Sequence, residues 1–137
     1  MTTETIIEND NITLWYQADT QIVHHRIHKY IHGETFRAAL EAGVEQLEKH
    51  GACKWLSDDQ SYGALPKEDV EWGLTYWGPK AAAAGWRYWA IVMPESVLGK
   101  LSLEHFIDAY GKLGVTAKAF TDPDEGMAWL KEQGQSG

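Results

Sequence analysis

The sequence predicts an α/β fold with a mainly parallel sheet and an antiparallel edge strand. Three observations lead there. Two neighbouring segments near the start alternate apolar and polar residues, as half-buried strands do. After them, strand-like and helix-like segments alternate strictly, which requires right-handed crossovers between parallel strands. Over 137 residues, 44% are hydrophobic and 23% charged. That is the composition of a globule able to close a core without disulfides or metal.

The elements follow in order. Ile12, Leu14 and Tyr16 alternate with Thr13, Trp15 and Gln17 and form a first strand. Ala18-Asp19-Thr20 supplies a turn. Residues 21–31 form a second strand, with Val23, Ile27 and Ile31 on one face, and pair with the first as a hairpin. Residues 34–50 have helix spacing, with Phe36, Leu40, Val44 and Leu47 on one stripe and Gly51 at the C′ position. Residues 53–57 are a short third strand, followed by the polar loop 58–63. A second helix opens at Pro66, with Glu68 and Asp69 in its first turn and Val70, Leu74, Trp77 and Ala81 as its core stripe. Gly78-Pro79 should kink it, and Gly85 can end it. Residues 88–93 are a fourth strand, stopped by Pro94. Ser102 can cap a third helix carrying Leu103, Phe106, Ile107, Tyr110 and Leu113. Residues 115–120 are a fifth strand. Asp122-Pro123-Asp124-Glu125 has the form of a capping box and opens a last helix that ends before Gly134. The order is β-β-α-β-α-β-α-β-α. One domain over residues 1–137 is expected, with its core at about 12–131 and short flexible termini.

Charge and cysteine content narrow the function. Twelve basic against twenty acidic side chains give a net charge of −8, which repels nucleic-acid phosphates and anionic lipids. No apolar run approaches the ~20 residues that span a bilayer, so no membrane insertion is expected. The polar, acidic start carries no secretory pattern. One cysteine, Cys53, excludes an internal disulfide and fits a reducing cytoplasm. No cofactor motif is present, neither G-x-G-x-x-G nor a P-loop.

The element order matches the SpoIIAA-like (STAS) fold of anti-sigma-factor antagonists. Four stretches within it, Lys54 to Asp59, Gly63 to Asp69, Ala84 to Ala90 and Phe120 to Pro123, resemble bacterial proteins labelled STAS/SEC14-domain or hypothetical. The resemblance runs from about Ile12 to Leu130 and implies a fold and a broad class, with no activity attached. In phosphorylated STAS antagonists a serine beside an aspartate starts the helix after the third strand. Ser61 is the only serine near that place here. Gln60 separates it from Asp59 and the helix start is delayed, so the phosphosite stands against a plain turn serine.

Candidate site residues cluster at the carboxyl ends of the strands, where parallel sheets present chemistry. Asp58 and Asp59 can hold a cation or act as acid and base, or simply form a polar turn; adjacent strand residues point to opposite sides. Glu95 and Ser96 can line the same crevice, or Glu95 is a solvated loop residue, and Tyr62, at the end of the strand-end stretch 57–62, is a further ligand or interface candidate. His24 and His28 share a face but lie ~13 Å apart on a strand, too far for one metal ion, so no metal site is expected. Trp72 and Tyr76 fall opposite the core stripe of the second helix. Seven tryptophans make such a face notable. It can be a homodimer interface, the wall of an apolar pocket, or a face rephased by the Pro79 kink and covered by the 58–65 loop.

These residues contain no catalytic constellation. The leading expectation is a non-enzymatic binding or regulatory module that acts through protein–protein contact as a homodimer. The alternative is a carrier of a small apolar or lipid-like ligand. It expects a cavity of roughly 300 Å³ or more beneath the second helix. The third is an enzyme using Asp58, Asp59, Glu95 or His32, which requires two of these within hydrogen-bond reach.

Overall fold

The computed structural model describes residues 3–134. Its strands are β1 (Thr3–Glu8), β2 (Ile12–Gln17), β3 (Ile22–Ile27), β4 (Lys54–Asp58), β5 (Tyr88–Val92) and β6 (Thr116–Phe120). They lie side by side in chain order in one sheet. β1, β2 and β3 pair antiparallel, and β3 through β6 pair parallel.

The helices are α1 (Gly33–His50), α2 (Lys67–Trp72), α3 (Gly78–Ala83), α4 (Val97–Gly111) and α5 (Pro123–Glu132), with a π-helical segment (Gly73–Trp77) joining α2 to α3. Each parallel strand is added on the same side of the last, so right-handed crossovers put the connecting helices on one face. Trp55, Trp89 and Ile91 point into the core on that face. Leu56, Ala90 and Val92 point the other way and meet Leu130 of α5. β4 and β5 are therefore covered on both sides.

Local signals explain the element ends. Gly51 takes φ 62, and its N–H closes α1 on the Leu47 carbonyl. The Asp122 carboxylate accepts the Asp124 N–H at 2.9 Å, with Pro123 opening α5. Gly43, in the middle of α1, presents bare backbone to the Trp55 ring; an added Cβ would overlap it.

Several expectations are corrected. The sheet has an extra edge strand, β1, where the sequence was read as a polar terminus. Its alternation is broken by a register shift between Thr5 and Ile7, and its residues are mostly exposed, so its apolar period is weak. β3 stops at Ile27, short of the expected 31. The third helix starts at Val97, capped by Ser96, whose Oγ accepts the Gly99 N–H at 3.1 Å. Ser102 lies inside that helix instead of capping it.

The kink expected at Gly78-Pro79 appears as the π segment just before it. Trp72, Gly73, Trp77 and Gly78 all keep right-handed helical dihedrals, so the helix continues. Pro79 has no N–H for the Thr75 carbonyl and crowds it. The wider turn accommodates this, and the Gly78 N–H bonds five residues back to Gly73.

The tail from Gln133, expected to be loose, lies mostly outside the described residues. No helix among the described residues is long and apolar enough to cross a membrane.

Candidate functional site

The inner sheet face and the three crossover helices line a cavity of about 50 Å³. Its wall is aromatic, built from Trp55 of β4, Trp89 of β5, Trp77 of the π segment, Trp86 before β5, and Phe106 and Tyr110 of α4. The rings meet edge to face or tilted; Trp55 and Trp77 cross at 87° with centroids 5.4 Å apart. Glycines make room for them. A Cβ at Gly73 would stand 2.8 Å from the Phe106 ring, and one at Gly78 would overlap Tyr110.

Every indole N–H on this wall has a partner, as buried donors require. Trp55 donates to His25 Nδ1 at 3.0 Å, Trp77 to the Leu40 carbonyl at 2.9 Å, Trp86 to the Tyr88 carbonyl at 3.1 Å and Trp89 to Ser57 Oγ at 2.7 Å. The Tyr110 hydroxyl donates to the Gly73 carbonyl at 2.8 Å, pinning α4 to the π segment. Tyr62 OH pairs with Ser102 Oγ at 2.9 Å. Burial pushes both phenols above the ordinary tyrosine range.

One buried polar pair faces this cavity. The parallel register sets His25 against Ser57 and Arg26 against Asp58, so His25, Ser57 and Asp59 share the inner face. His25 Nε2 lies 2.8 Å from Asp59 Oδ1. An indole N–H can only donate, so His25 Nδ1 must accept from Trp55. The ring proton then sits on Nε2 and is donated to Asp59. Both nitrogens of His25 are used, and in this arrangement it meets the aspartate as a neutral donor. Asp59 is 3% exposed, and its Oδ2 makes no hydrogen bond among the described residues.

The other sequence-derived candidates are scattered. Asp58 points to the outer face, where its Oδ1 accepts from the Gln60 side chain at 3.0 Å and Arg26 Nε lies 3.9 Å from Oδ2. The two aspartates are thus split by strand alternation. Ser61 is exposed in the loop, Glu95 is exposed before α4, and His32 is exposed beside Tyr30. Among the described residues, no hydrogen bond or ion pair joins any two of Asp58, Asp59, Glu95 and His32. No group of three metal-ligating side chains occurs among them either. His24 is half-buried against Trp15, with centroids 4.7 Å apart.

Trp72 is half-buried, packed on Phe36 with the Arg37 guanidinium 5.3 Å from its ring. Tyr76 is 49% exposed, with Lys80 Nζ 5.4 Å from its ring. Only Tyr76 of the pair therefore presents a largely open surface.

Two features escaped the sequence reading. His25 is one of them, a residue with no role assigned from the sequence. Its position between Val23 and Ile27, on the apolar face of that strand, is the signal that marks it as buried. The other is the start of α4, where Val97, Leu98 and Leu101 are 71%, 66% and 50% exposed. Beginning the helix at Ser102 had left them in a loop.

A second hollow, of about 480 Å³, opens at the amino ends of the strands beside Cys53, Lys54 and Lys131. It also borders Gly134, where the described residues end. Comparison with protein-family models, with curated proteins and with solved structures finds no match for this chain.

Proposed function

We propose that this chain is a non-enzymatic, STAS-like binding or regulatory module of the cytoplasm that acts through protein–protein contact as a homodimer. The supporting observation is the apolar start of α4. Single exposed apolar residues are ordinary. Val97, Leu98 and Leu101, in contrast, fall within about a 100° arc of one helix. They sit beside the turn that carries Tyr62: a Cβ at Gly99 would meet the Tyr62 carbonyl at 2.9 Å. The same loop reaches Tyr30, itself 50% exposed, through Gly63. Exposed Glu95, Lys100 and Glu104 flank these three residues in the chain. An apolar patch with a polar rim is the anatomy of a protein interface.

The experiment is size-exclusion chromatography with light scattering on the wild type and on Leu98→Glu/Leu101→Glu. The wild type should run as a dimer and the variant as a monomer with an unchanged circular dichroism spectrum. A monomeric wild type, or a variant that stays dimeric, overturns the proposal.

A second reading, a carrier of a small ligand, draws support from the aromatic cavity. At about 50 Å³ it falls well short of the expected ~300 Å³. The Tyr62–Ser102 and Tyr110–Gly73 bonds tie α4 to the rest of the wall. Mass spectrometry of an organic extract tests the carrier reading: a lipid retained at fixed stoichiometry supports carriage, and a lipid-free extract opposes it.

A further inference from the structure

We propose that the aromatic cavity beneath the π segment is a binding site for a small ammonium cation, which donates to Asp59 Oδ2 and packs among the indole rings. This goes beyond the interaction proposal and does not depend on it, since the cavity lies within one chain.

Asp59 is short of one hydrogen-bond partner among the described residues. A buried carboxylate is costly unless paired and fully hydrogen-bonded. Oδ1 has the His25 N–H at 2.8 Å. The Trp55 bond to Nδ1 leaves that imidazole a neutral donor, so it supplies no compensating charge. Oδ2 has no partner among the described residues, and Asp59 is 3% exposed. Among the described residues no lysine or arginine lines the cavity, and Asp59 is the only carboxylate on its wall.

Most other polar groups of the wall are already committed. All four indole N–H groups and the Tyr110 hydroxyl bond elsewhere, and Tyr62 is paired with Ser102. An incoming ligand therefore meets the unpaired Oδ2, with the Ser57 hydroxyl also on the wall, in a setting of indole, phenol and phenyl rings. A cation with N–H donors satisfies both parts: it neutralises the carboxylate through a charge-assisted hydrogen bond, and it is attracted by the aromatic quadrupoles. An anion would be repelled by Asp59, and a neutral apolar molecule would leave Oδ2 unpaired. The volume of about 50 Å³ admits a group of a few heavy atoms. The net charge of −8 favours the approach of cations.

The probe is methylammonium chloride, compared at equal ionic strength with sodium and potassium chloride and at equal concentration with ethanol. Tryptophan emission reports the wall, and the proton resonance of the methyl group reports ring-current shielding inside it. Methylammonium should give a saturable emission change and an upfield methyl shift. Its dissociation constant should lie in the millimolar range, the ceiling that ligand efficiency sets for about two heavy atoms. Asp59→Asn keeps an acceptor for His25 and should weaken binding about tenfold or more. No saturable response in the wild type overturns the proposal. So does an equal response to ethanol, to sodium or to potassium, or unchanged affinity in Asp59→Asn. If that variant does not fold, the methyl shift in the wild type still decides: its persistence in excess potassium supports the site, and its loss there overturns it.

Discussion

Gly43→Ala adds a single methyl group in the middle of α1, and ordinary helix propensity expects it to stabilise by ~1 kcal/mol. The packing here expects the opposite. The new Cβ would lie 2.7 and 2.8 Å from Trp55 Cζ3 and Cζ2, and closer still to Cη2. The ring cannot easily give way. Its Nε1 donates to His25 at 3.0 Å, and it meets Trp77 and Trp86 with centroids 5.4 and 5.9 Å away. Overpacking of this kind costs ~1–3 kcal/mol, and a shift of the ring would also sacrifice a hydrogen bond worth ~1 kcal/mol. Against the propensity gain, the net is a loss of ~2 kcal/mol. For a chain of this length that lowers the melting temperature by roughly 6–10 °C. Thermal and urea unfolding, followed by circular dichroism and tryptophan emission, measure it. Gly111→Ala is the control, because nothing lies within 4 Å of its added Cβ. A Gly43→Ala protein that melts at or above the wild type refutes the claim that Trp55 is seated on bare α1 backbone.

Two further outcomes are expected. Burial above all holds the His24 imidazole down at about 4 from an ordinary 6.5, with the Arg26 charge adding to the effect and Asp58 opposing it. The unfolded chain then takes up that proton first as pH falls, so stability present above pH 6.5 is lost progressively towards pH 4. The loss is up to ~3 kcal/mol, less the screening at a half-buried ring. His24→Gln should flatten the melting-temperature profile in that window, and parallel profiles would contradict the assignment. Tyr110→Phe removes the buried 2.8 Å bond to the Gly73 carbonyl. It should lower stability by ~1 kcal/mol with an unchanged denaturant slope; an unchanged urea midpoint would show that the π segment does not need that pin.

The parts of the fold legible in the sequence are those whose periodicity is reinforced by burial. β2 and α1 read clearly because Ile12, Leu14 and Tyr16, and Phe36, Leu40, Val44 and Leu47, keep one face buried. β1 did not, because an edge strand with an interrupted register has little buried face to betray it. Strand alternation correctly separated Asp58 from Asp59, but no pattern in one sequence brings His25 to Asp59 across β3 and β4. The π segment was legible only as a disturbance at Gly78-Pro79. Its form depends on Tyr110 and Phe106, which arrive from a later helix and fit only because positions 73 and 78 lack a Cβ. Trp72 was assigned outward by helical angle alone. Phe36 and Arg37 of α1 partly cover it, a tertiary contact that angular spacing does not contain.

The central claim is that this protein works by contact with a second copy of itself. Native mass spectrometry of the protein, purified gently from its own host, tests that most directly, because one spectrum reports both assembly and retained small molecules. The expected result is a dimer that dissociates to monomers on Leu98→Glu/Leu101→Glu. A wild-type monomer at every concentration would contradict the account.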